Sequence, residues 1–273
     1  MKQEDKRSDS AYYVYCVGES AMLEPLRERD FPPPIEPESD PKFLFVNGAG
    51  LTAVASRVPL AVYGEDALRA RLEDATWTAV RAMRHERVVE FIARETSVVP
   101  LRFGTIYLER SNIEEMLDDK REELLSIIER LRDREEWGVN LYCDRARVLD
   151  AIVSLSPRLR ELTDEAERAT PGQAYLMRKK IEAMRADEAR TEIKRVSGEI
   201  EERLSRLSDG AVRLRVLKDE ASEHGDTVAK LAFLVARARF EDFRAEAERL
   251  ADEHAGAGFR LELTGPWPAY NFT

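Results

Sequence analysis

The chain has 273 residues, with 43 lysines and arginines against 53 aspartates and glutamates, a formal net charge of −10. A general nucleic-acid binder needs a basic face to displace counterions from phosphates, so this balance argues against that class. Apolar residues make up 43% and charged residues 35%, enough for two domains with separate cores, and no apolar run reaches membrane-spanning length.

Residues 1–10 are polar and lack the apolar core of a secretory signal, so a cytoplasmic protein is expected. Residues 11–17 are aromatic and β-branched and close at Gly18, the pattern of a strand. Residues 31–41 mix prolines with acidic side chains and read as an extended surface loop. Two strand-like runs, 43–46 and 51–58, flank Asn47-Gly48-Ala49-Gly50 and predict a β-hairpin. Gly48, Gly50 and Ala53 also fit the glycine spacing of a dinucleotide site. That chemistry requires the glycines to open a helix whose N-terminus faces the pyrophosphate, and a strand-like run follows instead.

Residues 65–95 are helical in pattern, as one element or as two with a break near Trp77. Leu68, Leu72, Ala75, Ala79 and Met83 form an apolar stripe that Val88, Phe91 and Ile92 continue. His85 lies mid-helix with no nucleophile or second base spaced to work with it. The run 97–107, Ser-Val-Val-Pro-Leu-Arg-Phe-Gly-Thr-Ile-Tyr, reads as a strand closing one domain and leading into the next. Pro100 removes a backbone donor there, and Gly104 permits a turn. Arg102 stands between Leu101 and Phe103, where a guanidinium needs partners; it reads as a structural arginine, with anion binding as the alternative.

Ser111 and Glu114 spell a capping box for a helix that carries Ile113, Met116, Leu117, Leu124, Ile127, Ile128 and Leu131 inward. Trp137, Val139, Leu141 and Cys143 alternate with polar or small residues as a strand, and Asp144 caps a helix ending near Pro157. Thr170-Pro171 opens the longest helix, running to about Leu207 with a narrow apolar stripe. Its length of roughly 55 Å exceeds what one domain covers, so part of it projects, pairs with a partner or packs across domains. Val212, Leu214 and Val216 suggest a strand, 230–235 another, and Phe240, Phe243, Ala247 and Leu250 an amphipathic helix. Phe259, Leu261 and Leu263 mark the last strand before a stiff tail, whose Trp267, Tyr270 and Phe272 must cover an apolar surface.

Cys16 and Cys143 read as small buried hydrophobes, and His85, His224 and His254 share no metal-ligand spacing with them. No serine elbow, phosphate loop, metal cluster or spaced carboxylate pair is present, so no catalytic, metal-binding or cofactor-binding residue is predicted, and an enzyme is not expected. From Trp137 onward the order strand, helix, strand, strand, helix, strand is the split βαβ arrangement, with the long helix inserted before the second strand. The expected fold is α+β in two domains: an N-terminal α+β domain over 1–110, a connecting helix over 111–135, and a modified ferredoxin-like domain over 136–273 with a helical insertion at about 157–208.

Val-Val-Pro-Leu-Arg-Phe-Gly-Thr at 98–105, Glu-Trp-Gly-Val at 136–139 and Gly-Pro-Trp-Pro-Ala-Tyr-Asn-Phe at 265–272 resemble the gas vesicle protein family GvpL/GvpF. Tyr13-Val14-Tyr15 and His85-Glu86 add to the resemblance, which spans nearly the whole chain. It implies a non-enzymatic accessory protein of vesicle assembly that contacts the hydrophobic shell protein GvpA and other minor vesicle proteins. A cytoplasmic location in association with the vesicles follows, without nucleic acid, cofactor or membrane insertion. The L-type and the F-type are not separated by these motifs. Arg102, Phe103, Trp267, Tyr270 and Phe272 are the candidate partner-binding residues, with the exposed part of the long helix. An adaptor that binds other accessory proteins through that helix, without shell contact, is the alternative.

Overall fold

The computed structural model describes residues 9–216, 221–222 and 225–273; His224 and most of the polar N-terminal run lie outside the described residues. The chain divides into two units, Met1–Arg134 with Pro268–Thr273, and Glu135–Trp267.

The first unit is built around β1 (Ser10–Glu19), whose residues are buried almost throughout. After the short helix α1 (Ser20–Leu23) come β2 (Phe43–Gly48) and β3 (Leu51–Pro59), then α2 (Leu60–Tyr63), α3 (Glu65–Leu72) and α4 (Ala75–Glu95). β4 (Val98–Pro100), β5 (Ile106–Tyr107), α5 (Arg110–Asp119) and α6 (Arg121–Leu131) complete it. The sheet order is β2-β3-β1-β4, with β5 also on β1. Tyr13 and Tyr15 face a core shared with Val88, Val89 and Ile92 of α4. Val14 and Val17 face a second core with Ile113 and Leu117 of α5 and Leu124 and Ile128 of α6. Helices on both faces explain why β1 reads as a continuous apolar run rather than an alternating one.

The hairpin forms where it was predicted, through the two-residue turn Ala49-Gly50 at φ 53° and 81°. Positive φ at both positions is the turn whose twist suits a hairpin. The run 97–107 is interrupted: both β4 and β5 pair with β1, and Leu101 N–H and the Thr105 carbonyl still bond to it, but Arg102 to Gly104 leave the ladder in a turn closed by Thr105 N–H on the Arg102 carbonyl, 3.1 Å. Gly104 at φ 85° makes that turn possible. The predicted capping box is absent; the helix begins at Arg110, Ser111 is already inside it, and Glu114 accepts from Arg110 at 2.8 Å. The segment expected as one connecting helix is two helices broken at Lys120, both packed into the first unit.

The proline-rich segment is a loop as expected, but its centre is buried rather than on the surface. Ile35 is fully buried and Glu36 nearly so, because Ile35 N–H donates to Tyr15 Oη at 2.8 Å and its carbonyl accepts from Arg84 at 3.1 Å.

The second unit runs β6 (Arg134–Cys143), α7 (Arg145–Leu155), α8 (Pro157–Arg168), α9 (Pro171–Ser205), β7 (Gly210–Leu214), β8 (Ala221–Ser222), β9 (Gly225–Ala236), α10 (Phe240–Ala255) and β10 (Phe259–Trp267). Its sheet order is β10-β6-β9-β7, with β8 on β9. Asp144 caps α7 by accepting from Ala146 and Arg147, as its position predicts, and Ser156 caps α8 ahead of Pro157. The core joins Val139, Leu141, Leu231 and Phe233 of the sheet to Val196, Ile200 and Leu204 of α9 and to Phe243 and Leu250 of α10. α9 is 35 residues long. Cys16 and Cys143 are both buried and free, and burial pushes the Cys143 thiol up to about 11.

Candidate interaction surface

The side of α4 that faces the sheet is lined by polar and aromatic residues. Trp77, His85, Val88, Val89 and Ile92 are its buried positions. Arg81 lies on the same side, its guanidinium 4.2 Å from the Trp77 ring centroid and its Nε donating to Glu36 Oε1 at 2.6 Å. The same carboxylate oxygen accepts from Tyr63 Oη at 2.8 Å, so the buried Glu36 is held by two donors. Arg84 is fixed by the Ile35 carbonyl and by Glu38 at 3.2 Å.

His85, only 2% exposed, is the centre of this layer. Its Nδ1 lies 2.9 Å from Tyr13 Oη and its Nε2 2.9 Å from Tyr270 Oη. Gly104 N–H also donates to Tyr13 Oη at 3.1 Å, so that hydroxyl links the loop backbone to the His85 ring. Tyr270 in turn hydrogen-bonds the Glu86 carboxylate. Burial lowers the His85 pKa to about 4, against the opposing pull of the Leu101 carbonyl. Burial likewise holds the Tyr13 and Tyr270 hydroxyls above their usual range and Tyr15 at about 12. These groups are neutral and satisfied, and all but the half-buried Tyr270 are closed to solvent, which suits a structural network.

Because the polar residues of α4 turn inward to their partners, its apolar stripe turns outward. Leu72 at the end of α3 is 45% exposed, and on α4 Val80 is 43% and Met83 56% exposed, with Ala75 and Ala79 exposed beside them. This corrects the reading of Leu72, Ala75, Ala79 and Met83 as core. Leu68, Val88, Phe91 and Ile92 do pack inward. Val80 was not in the predicted stripe at all. The signal that locates this face is the competing spacing Trp77, Arg81, His85, Val88, Ile92, recognisable once histidine and arginine are counted as core residues with partners.

The five candidate residues separate. Arg102 is exposed, and its guanidinium makes no ion pair or hydrogen bond with a described residue. It therefore does not satisfy the carbonyls or carboxylate that the strand setting predicted. Phe103 is packed into the first core, edge-on to both Tyr13 and His85. Tyr270 joins it on the His85 ring, and Phe272 is buried with its carbonyl accepting from Arg130. Trp267 belongs to the second unit and is 47% exposed, with Nε1 donating to Thr264 Oγ1 at 3.1 Å.

A cluster of Glu199, Glu253 and His254 brings ligand-type atoms within 4.8 Å of one another. Arg203 bridges both carboxylates, and Arg195 and Arg249 hold one each. These arginines keep Glu199 low in spite of its burial, and keep Glu253 low as well. Each of the two carboxylates is already held by two guanidiniums, so the group is an ion-pair network joining α9 to α10. Among the described residues no helix is long and apolar enough to cross a membrane.

Residues 11–273 match the family model described as gas vesicle synthesis protein GvpL/GvpF. The chain is 31% identical over 226 residues to gas vesicle protein L of Streptomyces sp. (strain CB03234), covering 81% of this chain and 79% of that one. It is 29% identical over 269 residues to gas vesicle protein F of the same organism, covering 95% and 98%. Its fold is similar to the crystal structure of GvpF from Anabaena sp. PCC7120, with a TM-score of 0.61 at 18% identity over 96% of this chain and 95% of that one. GvpF from Microcystis aeruginosa gives a TM-score of 0.58 at 17% identity over 96% and 98%.

Proposed function

The chain belongs to the GvpL/GvpF family of gas vesicle synthesis proteins, and from that footing we propose that it is an assembly protein which covers the apolar shell protein GvpA before its addition to the wall. The observation that carries the reading is the outer face of α3 and α4, where Leu72, Val80 and Met83 stand exposed. Val80 and Met83, three residues apart, share one face of α4 while Leu72 is exposed on α3; exposed large apolar side chains mark contact surfaces when the opposite helix face already has its own core. The net charge of −10 supports the role, because like charge opposes the carrier's own association while the apolar cargo is held.

Of the five residues singled out in the sequence, Arg102 and Trp267 have side chains open to a partner. Phe103, Tyr270 and Phe272 act by holding the first unit together. The second unit is read as a modified ferredoxin-like domain; with the two-residue β8 set aside, the order of its four main strands, fourth-first-third-second in chain order, supports that. Other accessory vesicle proteins are the further partners proposed, with action in the cytoplasm at the growing vesicle. No catalytic step is assigned to it.

Co-expression with GvpA tests the reading. The wild-type chain is expected to keep GvpA in the soluble fraction, and the triple variant Leu72→Ser, Val80→Ser, Met83→Ser to lose it while remaining folded. Soluble GvpA at equal yield with both chains contradicts the assignment.

A further inference from the structure

We propose that the first three turns of α9 dock an acidic amphipathic helix of another protein, through Tyr175, Leu176 and the cations Arg178, Lys179 and Lys180. The surface lies in the second unit and is independent of the shell-protein reading.

The charge pattern of α9 changes along its length. Arg185 pairs with Glu182, Arg190 with Asp187, Arg195 with Glu192 and Glu199, and Arg203 with Glu199, Glu246 and Glu253. Residues 171–180, by contrast, hold three cations and no carboxylate. Arg178, Lys179 and Lys180 are exposed and make no ion pair with a described residue; α8 alongside carries carboxylates, yet none is in ion-pair contact with them. In a chain of net charge −10 this is a local reversal of sign.

Apolar area accompanies the charge. Tyr175 is 57% and Leu176 66% exposed, while Ala174 and Ile181 are the positions that face inward. Tyr175 and Lys179, and Leu176 and Lys180, are four residues apart, so an apolar pair sits one turn before a cationic pair on one helix face. Lys179 Nζ lies 5.1 Å from the Tyr175 ring centroid, which orients its stem along the ring. The four-carbon stems of both lysines extend the apolar strip. The complement is a helix that presents leucine-type side chains with carboxylates one turn away. A lipid surface fits less well, because interfacial helices need a long apolar face and the other apolar side of α9 is buried in its own unit.

The test uses the full-length chain and fluorescence anisotropy with a synthetic helix bearing leucines along one face and glutamates beside them, compared with the same peptide carrying lysine for glutamate. The wild-type chain is expected to bind the glutamate peptide at least about ten-fold more tightly than the lysine one, with affinity falling as salt rises. Charge reversal by R178E/K179E/K180E should invert that preference. Y175S/L176S should weaken binding of the glutamate peptide about ten-fold at every salt concentration, with unchanged circular dichroism for both variants. Absent binding, equal affinity for the two peptides, or an unchanged preference after charge reversal overturns the proposal. Binding to phosphatidylglycerol vesicles without peptide binding reassigns the patch to a lipid surface, and self-association lost on charge reversal reassigns it to a second copy; each also overturns it.

Discussion

His85 shows how a buried titratable group ties stability to pH. Its pKa in the folded chain is about 4, below the ordinary histidine value of about 6.5. The neutral ring is thus the folded form, and its contribution is complete above pH 6.5 and is lost as pH falls toward 4. At pH ~4.5 the loss from this one group is about 2 kcal/mol, so the drop in unfolding free energy between neutral and mildly acidic pH should be smaller in His85→Asn than in the wild-type chain, as urea titrations will show. Removing the hydroxyl at the other end, Tyr270→Phe, takes away the partner 2.9 Å from His85 Nε2 and should cost about 2 kcal/mol at pH 7. Glu36→Leu removes the acceptor of both Arg81 and Tyr63 and should cost about 3 kcal/mol in the same assay. None of these roles was legible in the sequence. His85 stands 72 residues from Tyr13 and 185 from Tyr270, and local patterning carries no information about partners so distant.

Elements were more legible than their orientation. Strand β1, the hairpin turn, the Asp144 cap and the start of α9 at Thr170-Pro171 all follow from local chemistry, and each stands where that chemistry puts it. The orientation of α4 failed because residue type was taken as a proxy for burial. The stripe was drawn through apolar residues alone, whereas Glu36, Tyr13 and Tyr270 draw Arg81 and His85 inward and the alanines, Val80 and Met83 are left outside. The inversion has a measurable signature. Val80→Ser and Met83→Ser should change unfolding free energy by no more than about 0.5 kcal/mol, while Ile92→Ala should cost about 3 kcal/mol. In the hairpin, Gly50→Ala forces a Cβ into φ 81° and should cost about 1 kcal/mol by thermal or chemical unfolding.

The chain is a mixed helix-and-sheet protein whose first unit is closed by its last six residues. A sequence reading places a domain boundary where the composition changes, and it kept the tail with the strand it follows. Tyr270 and Phe272 go instead to the first unit, because their apolar faces and the Tyr270 hydroxyl find partners there. The same limit applies to α5 and α6: the amphipathic pattern was visible, but not the sheet face that it covers. The proposed role requires the outward face of α4 to meet the shell protein. A photo-crosslinking amino acid placed at Met83, in cells that are forming vesicles, tests this most directly. Crosslinked product should contain GvpA, and the same group placed at an exposed site on the helix covering the other face of the same sheet, such as Glu122 on α6, should give none. If Met83 yields no GvpA adduct while vesicles form normally, the face has another purpose and the proposed role is wrong.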